Sequence, residues 1–301
     1  MPTYTRVPYS VTVDTAGKIF VKTGDMLSKY SWAIYGNYTT LSVFYRVNGG
    51  GSPMPIVNKD LIYAGETLIH MPDYKPGGNG NGGASPATGG FVHHPTADYK
   101  LIQVQGHPVY LSPETVADGA LMNAVISQLS ADLSVISTVL PKAALTQLAH
   151  VPFWVEHDNP DVASIEFHSS SAWLQNHGYN LDKAKSIEIG NPSNFLAWHA
   201  DQPFMTLHEL AHAYQDRVSL YSHVKLMNAY LLAVSSHKYE SVPYIRGGKA
   251  RAYALNNVAE YFAELSEAYF GKNDYYPFVR SDLAAFDPVG FQMIEELWRV
   301  R

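Results

Sequence analysis

The chain has 301 residues, 46% of them hydrophobic, enough to bury one sizeable core and a second, smaller one. A formal net charge of -6 supplies no basic field to hold phosphates, which argues against a nucleic-acid partner. With no cysteine, disulfides, thiolate metal sites and a cysteine nucleophile are excluded, so any metal has to be held by histidine and carboxylate side chains.

The opening residues Met1-Pro2-Thr3-Tyr4-Thr5-Arg6 lack the basic and then apolar pattern of a secretory signal peptide. Residues Lys18 to Lys22 alternate as a strand does, and Thr23-Gly24-Asp25 reads as a turn. Helical patterns follow over Met26 to Tyr35 and Thr39 to Asn48, and a closing strand over Thr67 to Met71 comes after Ala64-Gly65-Glu66.

Strand, helix, helix, strand over residues 18–73 resembles a LysM domain. Gly24-Asp25-Met26-Leu27-Ser28 is similar to that family's Gly-Asp-Thr-Leu-Ser signature, with Met26 as the departure. Asn48 stands where the family has Asn after its second helix, and Gly65-Glu66-Thr67-Leu68-Ile69-His70-Met71-Pro72 resembles its closing segment. A Gly/Pro-rich segment, Gly49 to Lys59, departs from the pattern. The resemblance implies binding to N-acetylglucosamine polymers of the peptidoglycan or chitin type, the alternative being a small module that docks another protein.

Between Pro76 and Gly90 the chain is almost entirely Gly, Pro, Ser, Asn, Thr and Ala, with little to bury and high backbone entropy. This composition predicts a module over residues 1–75, a flexible linker over 76–95 and a second domain over 96–301. In that second domain helical periodicity runs from Ala120 to Val139 and from Asp216 to Val234. Strand-like stretches, Ala149 to Val155 and Ser186 to Ile189, are few and short, so the expected class is α+β, mainly helical with a small sheet. The longest apolar run, around Ala229 to Val234, is far short of the roughly 20 residues a membrane helix needs.

Chemistry concentrates in two segments. Met205 to Tyr214 contains His-Glu-x-x-His, and four residues is close to one helical turn, so His208 and His212 leave the same face and can share one ion. Glu209 projects beside His208, where a carboxylate can take a proton from metal-activated water. The pattern alone also arises by chance on amphipathic helices. In the second segment, Tyr253 to Phe270, Glu260, Glu264 and Glu267 line one helical face among aromatic and alanine neighbours. Buried together they need a cation or hydrogen-bond donors, and the alternative is a solvated face. His93, His94, His157, His168, His177 and His199 have no spacing that specifies a ligand set.

Together the two segments resemble the anthrax-lethal-factor-like metallopeptidases, zincins with glutamate as third ligand. That resemblance implies Zn2+ held by His208, His212 and Glu260, the last opening the run Glu260-Tyr261-Phe262-Ala263-Glu264. It implies Glu209 as catalytic base. Tyr253, seven residues before Glu260, is implied to stabilise the oxyanion or protonate the leaving amine. Glu264, one turn beyond Glu260, is the candidate acceptor for the free ring N–H of a ligand histidine. Residues 186–189 are a candidate edge strand on which an extended peptide would pair, the alternative being an ordinary half-buried strand, and Asn273 to Arg280 is expected as a loop near the site.

The resulting expectation is a zinc-dependent endopeptidase acting on a protein or peptide, carried to a cell wall or similar glycan by residues 18–73. It implies an extracellular or wall-associated location reached by non-classical export or after trimming of a leader. The rival expectation is a glycan-binding, secretion-apparatus or phage-tail-like component with a structural or inactive metal site.

Overall fold

Hydrogen-bonded pairing in the first unit, Met1–Ala87, is antiparallel throughout the six strands described there. A computed structural model describes these strands together with residues 91–299 except His177. β1 (Thr3–Arg6) pairs with β2 (Tyr9–Thr12), while β3 (Lys18–Phe20), β4 (Phe44–Val47), β5 (Pro53–Pro55) and β6 (Thr67–His70) form a second sheet in the order β3-β6-β4-β5. The strands expected near Lys18 and Thr67 are present as partners, with buried Ile19 opposite Leu68. The helix expected over Thr39–Asn48 is corrected at residues 44–47. Phe44-Tyr45-Arg46-Val47 is rich in aromatic and β-branched character and is a strand between β6 and β5. The helix expected over Met26–Tyr35 lies outside the described residues.

The second unit, Thr88–Arg301, is α+β. Its sheet begins as a hairpin, β7 (Lys100–Val104) and β8 (His107–Leu111), turned at Gln105 and Gly106 with φ of 50° and 85°. β9 (Phe153–Val155), β10 (Ile165–Phe167) and β11 (Ile187–Ile189) complete it in the order β10-β11-β9-β8-β7. β11 and β8 run parallel to β9, whereas β10 and β7 are antiparallel to their neighbours. The expectation that residues 186–189 lie at an edge is therefore corrected. Ile187 and Ile189 are fully buried and β11 is paired on both sides, so the outer strand at this end of the sheet is β10, with β7 at the other edge.

Around the sheet lie α1 (Pro113–Ala117), α2 (Gly119–Val139), α3 (Lys142–Leu148), α4 (Ser171–Asn176), α5 (Pro192–Trp198), α6 (Met205–Arg217), α7 (Val224–Ser236), α8 (Val258–Phe270), α9 (Arg280–Phe286) and α10 (Pro288–Leu297). A two-stranded ribbon, β12 (Val242–Pro243) and β13 (Lys249–Ala250), precedes α8. By length and composition α2 could cross a membrane, with a mean hydropathy of 1.3. Its Val125, Leu129, Leu133 and Ile136 are buried instead in the core of this unit, and its one charged residue, Asp132, accepts from Thr206 Oγ1 at 2.7 Å.

Two helices carry the residues of interest. The periodicity expected to run from Asp216 to Val234 is broken, because α6 ends at Arg217 and Ser219 takes a left-handed conformation before α7 begins. The segment from Tyr253 likewise divides into a 3-10 turn, Tyr253–Leu255, and α8. Asn257 caps α8 by accepting from the amides of Ala259 and Glu260, which fixes Glu260 in the first turn, where the helix dipole favours a carboxylate.

Trp298, fully buried just after α10, braces both helices. Its ring stacks on Tyr214 of α6 at 4.2 Å and on Phe262 of α8 at 5.5 Å, and its Nε1–H donates to Ser266 Oγ at 2.8 Å. Trp298→Ala is expected to cost about 3–5 kcal/mol through the cavity and the lost hydrogen bond to Ser266 Oγ. Denaturant unfolding checks this, and a loss below about 1 kcal/mol would contradict the bracing role.

Candidate metal centre

Side by side, α6 and α8 bring two imidazoles onto one carboxylate. Glu260 Oε2 lies 2.9 Å from His208 Nε2 and 3.4 Å from His212 Nε2, and the two histidine rings are 4.9 Å apart at 77°. The ligand-type atoms of His208, His212 and Glu260 all fall within 4.8 Å of one another. Burial alone would lower the basicity of His208, but the hydrogen bonds to Glu260 and Glu267 outweigh it and hold the ring well above the usual histidine range. His212 is raised in the same way, chiefly by Glu260 against burial. Burial pushes Glu260 upward, yet His212 and His208 hold it well below the usual carboxylate range.

Support for the ring of His208 comes from further along α8. Its Nδ1–H donates to Glu267 Oε1 at 2.7 Å. Glu264, the acceptor expected from sequence, stands 3.9 Å from that nitrogen and accepts instead from Asn273 Nδ2 at 3.1 Å. The physical reason is tertiary. Residues 264 and 267 share a helical face, but the loop after α8 delivers Asn273 to the first and leaves the second facing the imidazole. Burial pushes Glu264 well up, with the Glu267 and Asp274 charges adding to it, while Glu267 is raised by burial against the pull of His208.

Glu209 leaves α6 toward the outer strand, where its Oε2 accepts from the Phe167 amide of β10 at 2.7 Å. Burial raises its basicity against the opposing pull of His208 and His212. Tyr253 lies across the site with its ring 6.2 Å from that of His208 and is 41% exposed, so a substrate could reach it. The loop expected over Asn273–Arg280 connects α8 to α9 and contributes Asn273 and buried Asp274 behind His208.

The remaining histidines are engaged elsewhere. His168 pairs with Glu188 at 2.6 Å, His199 with Asp132 at 2.7 Å, His157 with Asp158 at 3.0 Å and His94 with Glu114 at 3.0 Å, while His93 packs on Tyr179. Among the described residues none of them joins a candidate metal group, and His177 lies outside those residues. The role of Glu267, which the sequence places only on the shared helical face, and the Phe167 amide escaped the sequence reading, since only tertiary packing shows which carboxylate and which strand face α6.

Two imidazole nitrogens and one carboxylate oxygen on adjacent helices are a donor set that suits a divalent zinc ion. The surroundings agree. Four buried or nearly buried glutamates, 209, 260, 264 and 267, meet only two histidines here, an excess of acid that a cation relieves. His208, Glu264 and Glu267 also cluster closely, but the 2.7 Å bond to Glu267 uses Nδ1 to orient the ring. In comparisons with protein-family models, curated proteins and solved structures, the chain matches none of them.

Removing the Glu267 carboxylate (Glu267→Ala) is expected to weaken zinc binding by roughly 10–100-fold in chelator competition, whereas Glu264→Gln stays near the wild-type value. The reverse order would show that Glu264 supports the ring. Because both histidines are raised, a zinc ion held by them would have to displace protons near neutrality. Zinc affinity is expected to climb as pH rises above about 6.5. Calorimetry in buffers of different ionisation enthalpy would register the released protons, and a pH-independent affinity without proton release would contradict the ligand assignment.

Proposed function

We propose that residues 96–301 form a zinc-dependent endopeptidase, carried to an N-acetylglucosamine-containing wall glycan by the LysM-like residues 18–73. The observation that supports this reading best is the convergence of His208 Nε2 and His212 Nε2 on Glu260 Oε2 with Glu209 alongside, beneath the outer strand β10.

His208, His212 and Glu260 would hold the ion, whose chemistry when bound is to polarise a carbonyl and acidify water. Glu209, raised by burial, takes the proton of the attacking water and passes it to the departing amine. Tyr253 donates its hydroxyl to the developing oxyanion. A substrate strand paired along β10 would pass Glu209 directly, since the Phe167 amide that meets this carboxylate belongs to that strand. Glycan binding rests on the motif resemblance over residues 18–73. Its effect would be to raise the local concentration of wall-associated peptide around the metal centre.

The test is a peptide-library digest by zinc-loaded protein beside two variants. Glu209→Gln is expected to retain one zinc per chain while losing cleavage by about 10²–10⁴-fold. Tyr253→Phe should lower kcat by about 10²-fold with little change in KM. Protein that binds glycan but cuts no peptide in any form would replace the enzyme with a glycan-binding component.

A further inference from the structure

His212 is supported differently from His208. Its Nδ1–H donates to Oε1 of Gln215, three residues along α6, at 3.0 Å. Gln215 is fully buried, and its Nε2 has no hydrogen-bond partner. A buried orphan amide donor carries a desolvation cost that an apolar side chain of similar shape would avoid. The helix keeps it nonetheless, directly behind one of the two converging histidines.

From this geometry we infer that Gln215 is the positioning residue for His212, fixing the tautomer that leaves Nε2 free toward Glu260. This inference rests on the metal-site reading above. With Oε1 against Nδ1 the ring proton is on Nδ1, the tautomer in which Nε2 presents its lone pair to an ion. Turning the amide over would set its NH2 against Nδ1, which would then have to accept and leave the ring proton on Nε2.

An amide suits this position better than a carboxylate for an electrostatic reason. Glu209, Glu260, Glu264 and Glu267 already crowd the site, and the last two are raised by burial and by their acidic neighbours. A fifth carboxylate behind His212 would add charge to a region that already holds an excess. The neutral acceptor orients the ring without it, at the expense of an unpaired NH2 group. Tyr221 pins the same residue from the backbone side, its hydroxyl donating to the His212 carbonyl at 3.2 Å.

The experiment compares full-length wild type with Gln215→Leu and Gln215→Glu. Zinc affinity is read by chelator competition, and ligand geometry by the visible absorption of the cobalt-substituted proteins. Gln215→Leu should bind zinc roughly 10–100-fold more weakly, with displaced or weakened cobalt bands. Gln215→Glu restores the acceptor and should recover affinity to within a few fold of wild type. Thermal melting of the metal-free variants separates loss of fold from loss of orientation. If the Leu variant does not fold, Gln215→Met decides in its place, since it keeps the length of the side chain and removes the acceptor for Nδ1, and unchanged zinc affinity in it overturns the inference. Unchanged affinity and spectrum in Gln215→Leu, or a Glu variant well below wild type, overturns the inference while leaving the metal site intact. Wild-type protein that takes up neither zinc nor cobalt overturns the metal reading itself, and this inference with it.

Discussion

The contact between His208 Nε2 and Glu260 Oε2, 2.9 Å across the interface of α6 and α8, is the constraint around which the second unit is arranged. Withdrawing a carboxylate and an imidazolium from water is costly, and their attraction offsets that cost only when the remaining hydrogen-bonding capacity is met. Each partner has such support. Glu260 sits in the first turn of a capped helix, and His208 uses its second nitrogen on Glu267. The aromatic stack of Tyr214, Trp298 and Phe262 then holds the two helices at the spacing this contact requires. Apolar packing fixes the distance, and the charges specify which turns face each other.

The sheet contributes through its edge. β10 has only three residues, too few to hold its place by pairing alone. A buried polar network reinforces it from within. His168, directly after β10, meets Glu188 of β11 at 2.6 Å, and Lys183 bridges Glu188 at 3.1 Å and Glu156, directly after β9, at 2.5 Å. Asn159 adds a 2.6 Å bond to Glu188. The middle of β11 and the end of β9 are thereby tied to one ammonium group, the end of β10 joins them through Glu188, and the Phe167 amide is fixed one residue from His168, where Glu209 reaches it. A fully satisfied network of this kind gives the outer strand a single register beside the candidate metal centre.

How much of this was legible in the sequence depended on whether local periodicity could carry it. His208 and His212 follow from one helical turn, and the facing glutamates of α8 from the same rule. Which glutamate would touch His208 did not follow, because 264 and 267 share a face and the choice is made by Asn273, contributed from the next loop. Gln215 was accessible in principle, standing three residues after His212 on the same helix. The β7–β8 hairpin also carried a signal, two apolar runs around Gln105-Gly106, but the alternation is blurred by Pro108 and by side chains that the sheet covers unevenly. Short strands were least legible. Residues 44–47 mimic a helical stripe, and the order of β10 and β11 depends on a crossover that local pattern does not contain.

Protons and a divalent cation would compete for the same atoms at this site, where the mutual attraction of the two imidazoles and Glu260 explains the opposite shifts of its members. The proton that keeps His208 charged bridges Nε2 to Glu260 at the point where three ligand-type atoms converge. Glu260 is consequently held low and the histidines high, each stabilising the charged form of the other. Glu264, without a cation of its own, is driven toward the neutral acid. A divalent cation bound among the same three side chains would substitute for the bridging proton and take over neutralisation of Glu260, while Nδ1 of His208 could keep its bond to Glu267. The architecture thus separates the ring nitrogens by task, with Nε2 directed to a cation of either kind and Nδ1 committed to the protein. Such a division of labour would let α6 and α8 keep one packed arrangement with either a proton or a divalent cation at Nε2.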